Sequence, residues 1–376
     1  MPGALGTSPM PNEQLVPVGE REGRRTRVLR IVLITLGITG TALIGLYLVR
    51  SFATTLLLVF AGVLFGVFVD GVSGLLRGWL RVPRWLALIL TILLLVGPCT
   101  LFFWLEGPHV AQQVQQLAQQ LPRSADTLQK ELQKTDWGRA VLKSLPFSGY
   151  AQLSFMSLVG SVSQVVSVTL QILGSLVFIF FLGIYLAAES EVYLRGFLIL
   201  FAREHRRRGR EVMRALGTAL RWWLLGRAVT MTLMGALTTL ALWFMNVPLA
   251  LVLGIIAGIF LFVPYLGAVA AAIPACLIAL MESPTKALWV AVVYTGVHVF
   301  EGYTITPYVQ KRAVALPPAM LLSVQLLSAA LFGVLGVIFS TPLMLVVIVL
   351  IQTLYLQDVL GENVALLGDH NPEQDR

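Results

Sequence analysis

The sequence predicts an all-α, polytopic integral membrane protein. Three observations carry that expectation. Apolar residues make up 57% of the chain and charged residues 12%, about half the charged share of a typical soluble domain, which is roughly 25%. Several apolar runs reach the length of about 20 residues that a helix needs to cross hydrocarbon. Strand-like alternation of apolar and polar residues is absent, which argues against a barrel. About eight hydrophobic helical elements are expected, some of them broken or hairpin-like, together with one extracytoplasmic helical insertion.

Residues 1–27 read as a disordered cytoplasmic tail: Met1 to Glu20 is rich in Pro and Gly and shows little apolar periodicity. Arg21, Arg24, Arg25, Arg27 and Arg30 then flank an apolar run, Val28 to Val49. That run is too long for the core of a signal peptide and a second follows at once, so it reads as a retained span. Residues 28–105 hold spans 1–3, with Phe52 to Val69 as the second and Trp85 to Leu105 as the third. Asp70 to Arg84 is the loop between them, carrying Arg77, Arg81 and Arg84. Trp85 and Trp104 sit at the two ends of the third span, as an interfacial aromatic belt requires.

Residues 106–164 form the one long polar stretch between spans. Val110, Val114, Leu117 and Leu121 recur at helical spacing among many glutamines, with Pro122 and Pro146 as breaks. Amphipathic helices are expected here, packed on each other or on a neighbouring subunit. Residues 165–188 are the fourth span. Residues 189–227 are strongly basic. Tyr193, Phe197, Leu200 and Phe201 point to a surface helix in this region, and Trp222 and Trp223 to an interfacial anchor. The run Arg206, Arg207, Arg208 reads as a topology signal on the membrane surface, because cytoplasmic loops are enriched in Lys and Arg. Nucleic acid is not an expected partner.

Residues 228–357 form the expected transport core. Ala228 to Met245 is a span, and Asn246-Val247-Pro248 a tight turn. Leu249 to Met281 is overlong and interrupted by Pro264-Tyr265-Leu266-Gly267 and by Pro274; a kinked span and a hairpin both fit. Gly254 and Gly258 make a small-xxx-small pair suited to close helix packing. Ala319 to Leu356 is likewise overlong, with Gly333, Gly336 and Pro342 inside it. Gly258-Ile259-Phe260 precedes Pro264 as Gly336-Val337-Ile338 precedes Pro342, a weak internal echo of the kind seen in transporter repeats. Residues 358–376 are an acidic cytoplasmic tail. A cytoplasmic N-terminus places both basic loops inside and the near-neutral 106–164 stretch outside, so span parity and charge bias agree.

The chemistry concentrates between Ala287 and Pro318. Glu301 arrives in an apolar run with no neighbouring charge in sequence. A membrane carboxylate costs several kcal/mol unless paired, hydrated or protonated, so it marks a candidate functional site. Tyr294, His298 and Glu301 share one helix face at i, i+4 and i+7. Pro307 blocks the helix, and Lys311 and Arg312 mark a wet boundary. Breaks near Pro264, Pro307 and Pro342 would free backbone groups, which lipid tolerates only where they are buried in protein or line a wet cavity. Glu301, His298 and Tyr294 are therefore the expected proton relay. Pro264, Tyr265, Gly267, Tyr303, Thr306, Pro307 and Gln325 are the candidate pathway. The plain alternative is that Glu301 bonds freed backbone near Pro307 for structure alone.

No HExxH, CxxC, GxxxxGK[ST] or strand-borne GxGxxG occurs, so neither an enzyme nor a cofactor is expected, and any drive should come from an ion gradient. Cys99 and Cys276 both lie in apolar runs, which makes a disulfide or zinc framework improbable.

The order Val263-Pro264-Tyr265-Leu266-Gly267, Glu301-Gly302-Tyr303, Thr306-Pro307 and Leu316-Pro317-Pro318 resembles the AI-2E transporter family, a bacterial group of permeases. The resemblance covers most of the membrane region and is densest between Leu249 and Pro342. It implies a bacterial inner-membrane protein that exports a small solute or, in some members, exchanges sodium for protons, and it implies a homo-oligomer. The expected partners are thus a small-molecule or ion cargo, membrane lipid and further copies of the chain. A sodium–proton antiporter on the same frame, and a non-transporting scaffold acting through residues 106–164, are the alternatives.

Overall fold

The computed structural model describes residues 51–134, 136, 162–305 and 317–361. Expectations that fall on the N-terminal tail, the Val28–Val49 run, most of residues 135–161, Thr306, Pro307, Lys311, Arg312 and the acidic tail lie outside the described residues. Residues Thr54–Arg376 form one compact unit. The described residues are helical, with no strand among them. Five of the described helices are long and apolar enough to cross a membrane, and two shorter apolar helices accompany them.

Helix α1 is Ser51–Leu80. The expected loop from Asp70 is mostly helix: α1 continues because no proline intervenes before Pro83, and Asp70 is held by ion pairs to Arg84 and Arg221. Only residues 81–83 leave helical form, with Arg81 at a φ of 56°. Helix α2, Arg84–Gln133, runs through Pro98, Pro108 and Pro122. The span and residues 106–133 of the polar stretch after it are therefore one helix, and Pro122 does not end it. Leucine, alanine and glutamine, all good helix formers, dominate the turns between Pro108 and Pro122.

Helix α3 is Val162–Ala188 and α4 is Ser190–Ile199. Glycines set the approach of α1 to α3. The Gly183 carbonyl lies 3.0 Å from where a Gly66 Cβ would stand, and Leu182 covers Gly62. This Gly62-xxx-Gly66 contact is a small-residue crossing of the kind membrane helices use.

After a 3-10 turn at Arg203–His205, helix α5 spans Arg206–Phe244. The basic region and the span after it are thus continuous. Along α5 the buried positions Val212, Leu216, Leu220, Trp223, Arg227, Thr230, Met234, Thr238 and Leu242 follow one helical stripe. Helices α6, Ala250–Phe260, and α7, Leu266–Leu280, follow the expected turn. Gly254 and Gly258 pack on Gly235 of α5, whose Cβ position lies 3.2 Å from the Gly254 carbonyl. The overlong Leu249–Met281 run is therefore two helices broken at Pro264. Pro274 lies inside α7 and breaks nothing.

Helix α8, Pro284–Phe300, is capped by Ser283, whose side chain accepts from the Lys286 N–H, and ends in a π turn at Glu301–Ile305. Helix α9, Pro318–Leu350, holds a non-helical residue at Gly333 (φ 64°, ψ −148°), and a π turn at Ile351–Gln357 follows it. A Cβ on Gly336 would overlap the Ser328 carbonyl eight residues earlier. In a straight helix those residues would lie about 12 Å apart, so the chain folds back at Gly333. The break comes there and not at Pro342, which sits inside the second half of α9 with the Ser340 hydroxyl donating to the Val337 carbonyl. The sequence echo between Gly258–Pro264 and Gly336–Pro342 does not align the two breaks. One falls after its glycine and the other before.

Two apolar cores flank the middle of α5. One gathers Leu117 of α2, Leu242, Leu253, Ala271, Ile278, Val290 and Tyr294. The other gathers Leu64, Leu216, Leu220, Trp223, Leu345 and Val349. Val110, Leu117 and Leu121, expected to pack on each other or on another subunit, instead pack in the first core. The Gln113 side chain reinforces this by accepting from the Val252 N–H at 3.3 Å. It thereby caps the first turn of α6, one of whose N–H groups has no partner within the helix.

Candidate functional site

Between these cores, α8 presents the expected stripe. The Tyr294 hydroxyl donates to the Ala271 carbonyl at 3.3 Å, and its ring lies 5.8 Å from that of His298. His298 Nδ1 stands 3.1 Å from Glu301 Oε2. Glu301 is 9% exposed, and the π turn begins at this residue. A widened turn of this kind often marks a functional position.

The partner that the sequence reading missed comes from α5. Arg227 is 5% exposed and interacts electrostatically with Glu301 and with Tyr265. It was expected to be the last charge of a cytoplasmic loop; instead it lies on the buried stripe midway along a continuous helix. Its Nε and Nη2 atoms are buried without hydrogen-bond partners, as is His298 Nε2. Desolvated donors of this kind are costly unless something occupies them.

The other flank of Arg227 is the α6–α7 break. Tyr265 has φ 61° and ψ −62°, and the Leu266 N–H donates to the Pro264 carbonyl at 2.7 Å. This is the rare, strained γ-turn with positive φ. A residue forced there costs of order 1–3 kcal/mol, a form of strain that clusters at functional sites. The same Pro264 carbonyl accepts from Gln325 Nε2 of α9 at 2.9 Å, while Gln325 Oε1 is buried and unpartnered. Gly267 makes the tight return possible, since a Cβ there would overlap the Phe260 carbonyl.

The expected pathway residues thus divide. Pro264, Tyr265, Gly267 and Gln325 gather around the break that faces Arg227. Tyr303 is 84% exposed, unlike the buried pair. Thr306 and Pro307 lie outside the described residues.

One turn before Arg227, Trp223 begins a series of aromatic contacts. Its ring meets Phe262 edge-on at 5.7 Å, Phe262 meets Phe339 at 6.4 Å, and Phe339 meets Phe60 of α1 at 6.1 Å. Trp223, expected as an interfacial anchor, is instead a core residue. The basic run divides as well. Arg206 donates to the Phe201 and Ile199 carbonyls at the end of α4. Arg207 is an exposed partner of Glu211. Arg208 clamps the C-terminal π turn through the Thr353 carbonyl, Gln357 and Asp358. Trp222, on the same turn as Trp223, is only partly buried.

A bundle of membrane-length helices enclosing a charged, strained site at interrupted segments is the architecture of a multi-pass membrane transport protein. The family model described as "AI-2E family transporter" matches residues 33–356. The chain belongs to that family. It is 24% identical over 299 residues to "Putative transport protein YueF" of Bacillus subtilis (strain 168), an alignment covering 76% of this chain and 80% of the relative. It is 26% identical over 162 residues to "Putative transport protein YrrI" of the same organism, covering 43% of this chain and 46% of the relative.

Proposed function

We propose that this protein is a permease of the bacterial inner membrane that exports a small solute by alternating access, coupled to an ion gradient, with Glu301 as the group that takes up and releases the proton. One observation carries this reading. A buried carboxyl group hydrogen-bonded to His298 faces the buried Arg227 beside two interrupted helical segments. Broken segments of this kind, related by small movements about their breaks, are where transporter sites are built. In this reading the aromatic contacts around Trp223 close one side of the site. Both termini are cytoplasmic in this reading. The exposed apolar faces of α2 and α3, with Leu93, Leu101, Phe103, Leu176 and Phe181, meet lipid or a second copy in a homo-oligomer.

Sodium–proton exchange is the nearer alternative. The guanidinium of Arg227 weighs against it, because a fixed cation beside Glu301 repels a sodium ion at the same carboxylate. The scaffold alternative needs residues 106–164 free for a partner, and the engagement of Leu117 and Gln113 with the body of the protein weighs against that for the helical part of the segment.

Flux in proteoliposomes tests the proposal. A panel of small solutes is assayed with and without imposed proton and sodium gradients, for the wild type and Glu301→Gln. Gradient-driven efflux of a solute that collapses at least roughly tenfold in Glu301→Gln, a loss of about 1.4 kcal/mol, supports it. Gradient-driven efflux unchanged by the substitution sinks the proton role of Glu301, and sodium-driven proton movement without any solute flux points to the antiporter.

A further inference from the structure

We infer that Arg227 is a receptor for an oxyanion, and that the solute carried is a small organic anion bearing a carboxylate or phosphate group. The inference rests on the reading of this site as the transport site, and it adds the chemical class of the cargo.

Two unpartnered atoms make the argument. Nε and Nη2 lie on the same edge of the guanidinium, and both are buried without a hydrogen-bond acceptor. That edge is the side-on fork whose parallel N–H groups match two oxygens on one carbon or phosphorus atom. A structural arginine this deeply buried normally spends the fork on a carboxylate or on backbone carbonyls. Here Glu301 acts on Arg227 only through space, and the Glu301 carboxylate is engaged by His298. The fork is therefore left for a ligand. Gln325 Oε1, on the side chain bonded to the Pro264 carbonyl, and His298 Nε2, on the ring bonded to Glu301, are also buried and unpartnered and suit a hydroxyl on the same solute.

Charge balance links this ligand to the proton. Among the described residues, His298 of α8 contacts Glu301, Arg227 of α5 interacts with it through space, Tyr265 at the α6–α7 break interacts with Arg227, and Tyr294, with Cys276 of α7 beyond it, lies beside His298. In the empty site Arg227 and Glu301 offset each other. An arriving anion adds a second negative charge beside the carboxylate, and like charges at one site favour protonation of one of them. Anion binding then draws one proton from water onto the Glu301 carboxyl oxygen, and by reciprocity a protonated Glu301 binds the anion more tightly.

Binding in nanodiscs, measured without flux, tests the inference independently of the transport reading. The full chain is titrated with acetate, succinate, inorganic phosphate, glucose 6-phosphate and uncharged glycerol, following thermal midpoint and proton uptake in weakly buffered solution. At least one oxyanion is expected to raise the midpoint of the wild type and to take up protons, while glycerol does neither. Arg227→Lys, which keeps the charge and loses the fork, should weaken that binding by roughly tenfold or more. Glu301→Gln should still bind the anion but without proton uptake. The assignment is overturned if no oxyanion binds the wild type, or if Arg227→Lys and Arg227→Gln, checked for folding by size-exclusion chromatography, bind it as well as the wild type. It is overturned too if added phosphatidylglycerol is the one anion that raises the midpoint through Arg227, since the fork then holds a lipid headgroup. Undiminished proton uptake in Glu301→Gln overturns the link to that carboxyl group. If an anion binds through Arg227 while Glu301→Gln transports normally, the cargo class stands and the proton role in transport falls.

Discussion

Gln325 Nε2 donates to the Pro264 carbonyl at 2.9 Å across 61 residues of sequence. This bond joins the α6–α7 break to the first half of α9, whose own break at Gly333 comes eight residues later. The carbonyl already accepts from the Leu266 N–H, so the amide of Gln325 uses its second lone pair. The two interrupted segments are therefore latched to each other beside Arg227.

Gln325→Leu tests the latch. The substitution deletes one hydrogen bond and also a buried oxygen that has no partner. These effects oppose each other, so stability should change by less than about 1.5 kcal/mol. Flux should change much more, because the two breaks lose their coupling. Thermal unfolding and proteoliposome flux on the same preparation separate the two effects; a large stability loss with proportionate flux would make Gln325 a packing residue.

The two folded-back segments depend on glycine for different reasons. At Gly333 a side chain meets open space but an unfavourable backbone, since φ is 64° with ψ at −148°. Gly333→Ala should cost on the order of 1–3 kcal/mol through strain. At Gly267 the φ is ordinary and the space is taken by the Phe260 carbonyl. Gly267→Ala should cost a similar amount, about 1–3 kcal/mol, through overpacking. Gly174, in open surroundings on α3, serves as the control; its alanine variant should be neutral or slightly stabilising, as read by thermal midpoint.

Trp223→Ala should destabilise the protein by about 3–5 kcal/mol, the usual cost of emptying a large aromatic site in a core. It should also raise passive leak through the reconstituted protein, because it removes the last ring of the Phe60–Phe339–Phe262–Trp223 series, one helical turn from Arg227. Trp223→Phe should keep the closure and restore low leak. Equal leak in both variants would show that the rings pack the core without sealing it.

Arg208→Ala should release the π turn at Ile351–Gln357, which Arg208 holds through the Thr353 carbonyl at 2.9 Å and the Gln357 side chain at 2.8 Å. The side chain is about one-third exposed, so the loss should be modest, about 1 kcal/mol. Limited proteolysis is the direct measure. New cleavage near residues 351–361 is expected, with the rest of the chain protected.

Much of the fold was legible in the sequence, because hydrophobic length and glycine–proline punctuation act locally. The membrane class, the tight turn at Asn246, the Gly254–Gly258 contact and the Tyr294–His298–Glu301 stripe follow from spacing alone. Continuity was harder to read. Charged and polar residues in a long helix look like a loop when neighbours on other helices satisfy them, as Asp70 shows between Arg84 and Arg221. Pro122 and Pro342 overstated their power to end helices, whereas Gly333 broke one that its surroundings left free to turn. Arg227 was hidden by being grouped with eight other basic residues of its stretch. The signal that could have found it was its period: it continues the Leu216, Leu220, Trp223 stripe and leads into Thr230 and Met234. A charge on the apolar face of a helix belongs to the interior, whatever loop it borders in sequence. The Pro264–Gln325 bond has no local signal at all, since it depends on how two distant helices meet.

The cap that Gln113 places on α6 reaches further than one hydrogen bond. It ties the polar half of α2 to the hairpin that carries Tyr265, so a tilt of that half is passed directly to the first turn of α6. A binder that clamps the α2 surface near Gln113 would then restrain the hairpin without touching Arg227 or Glu301.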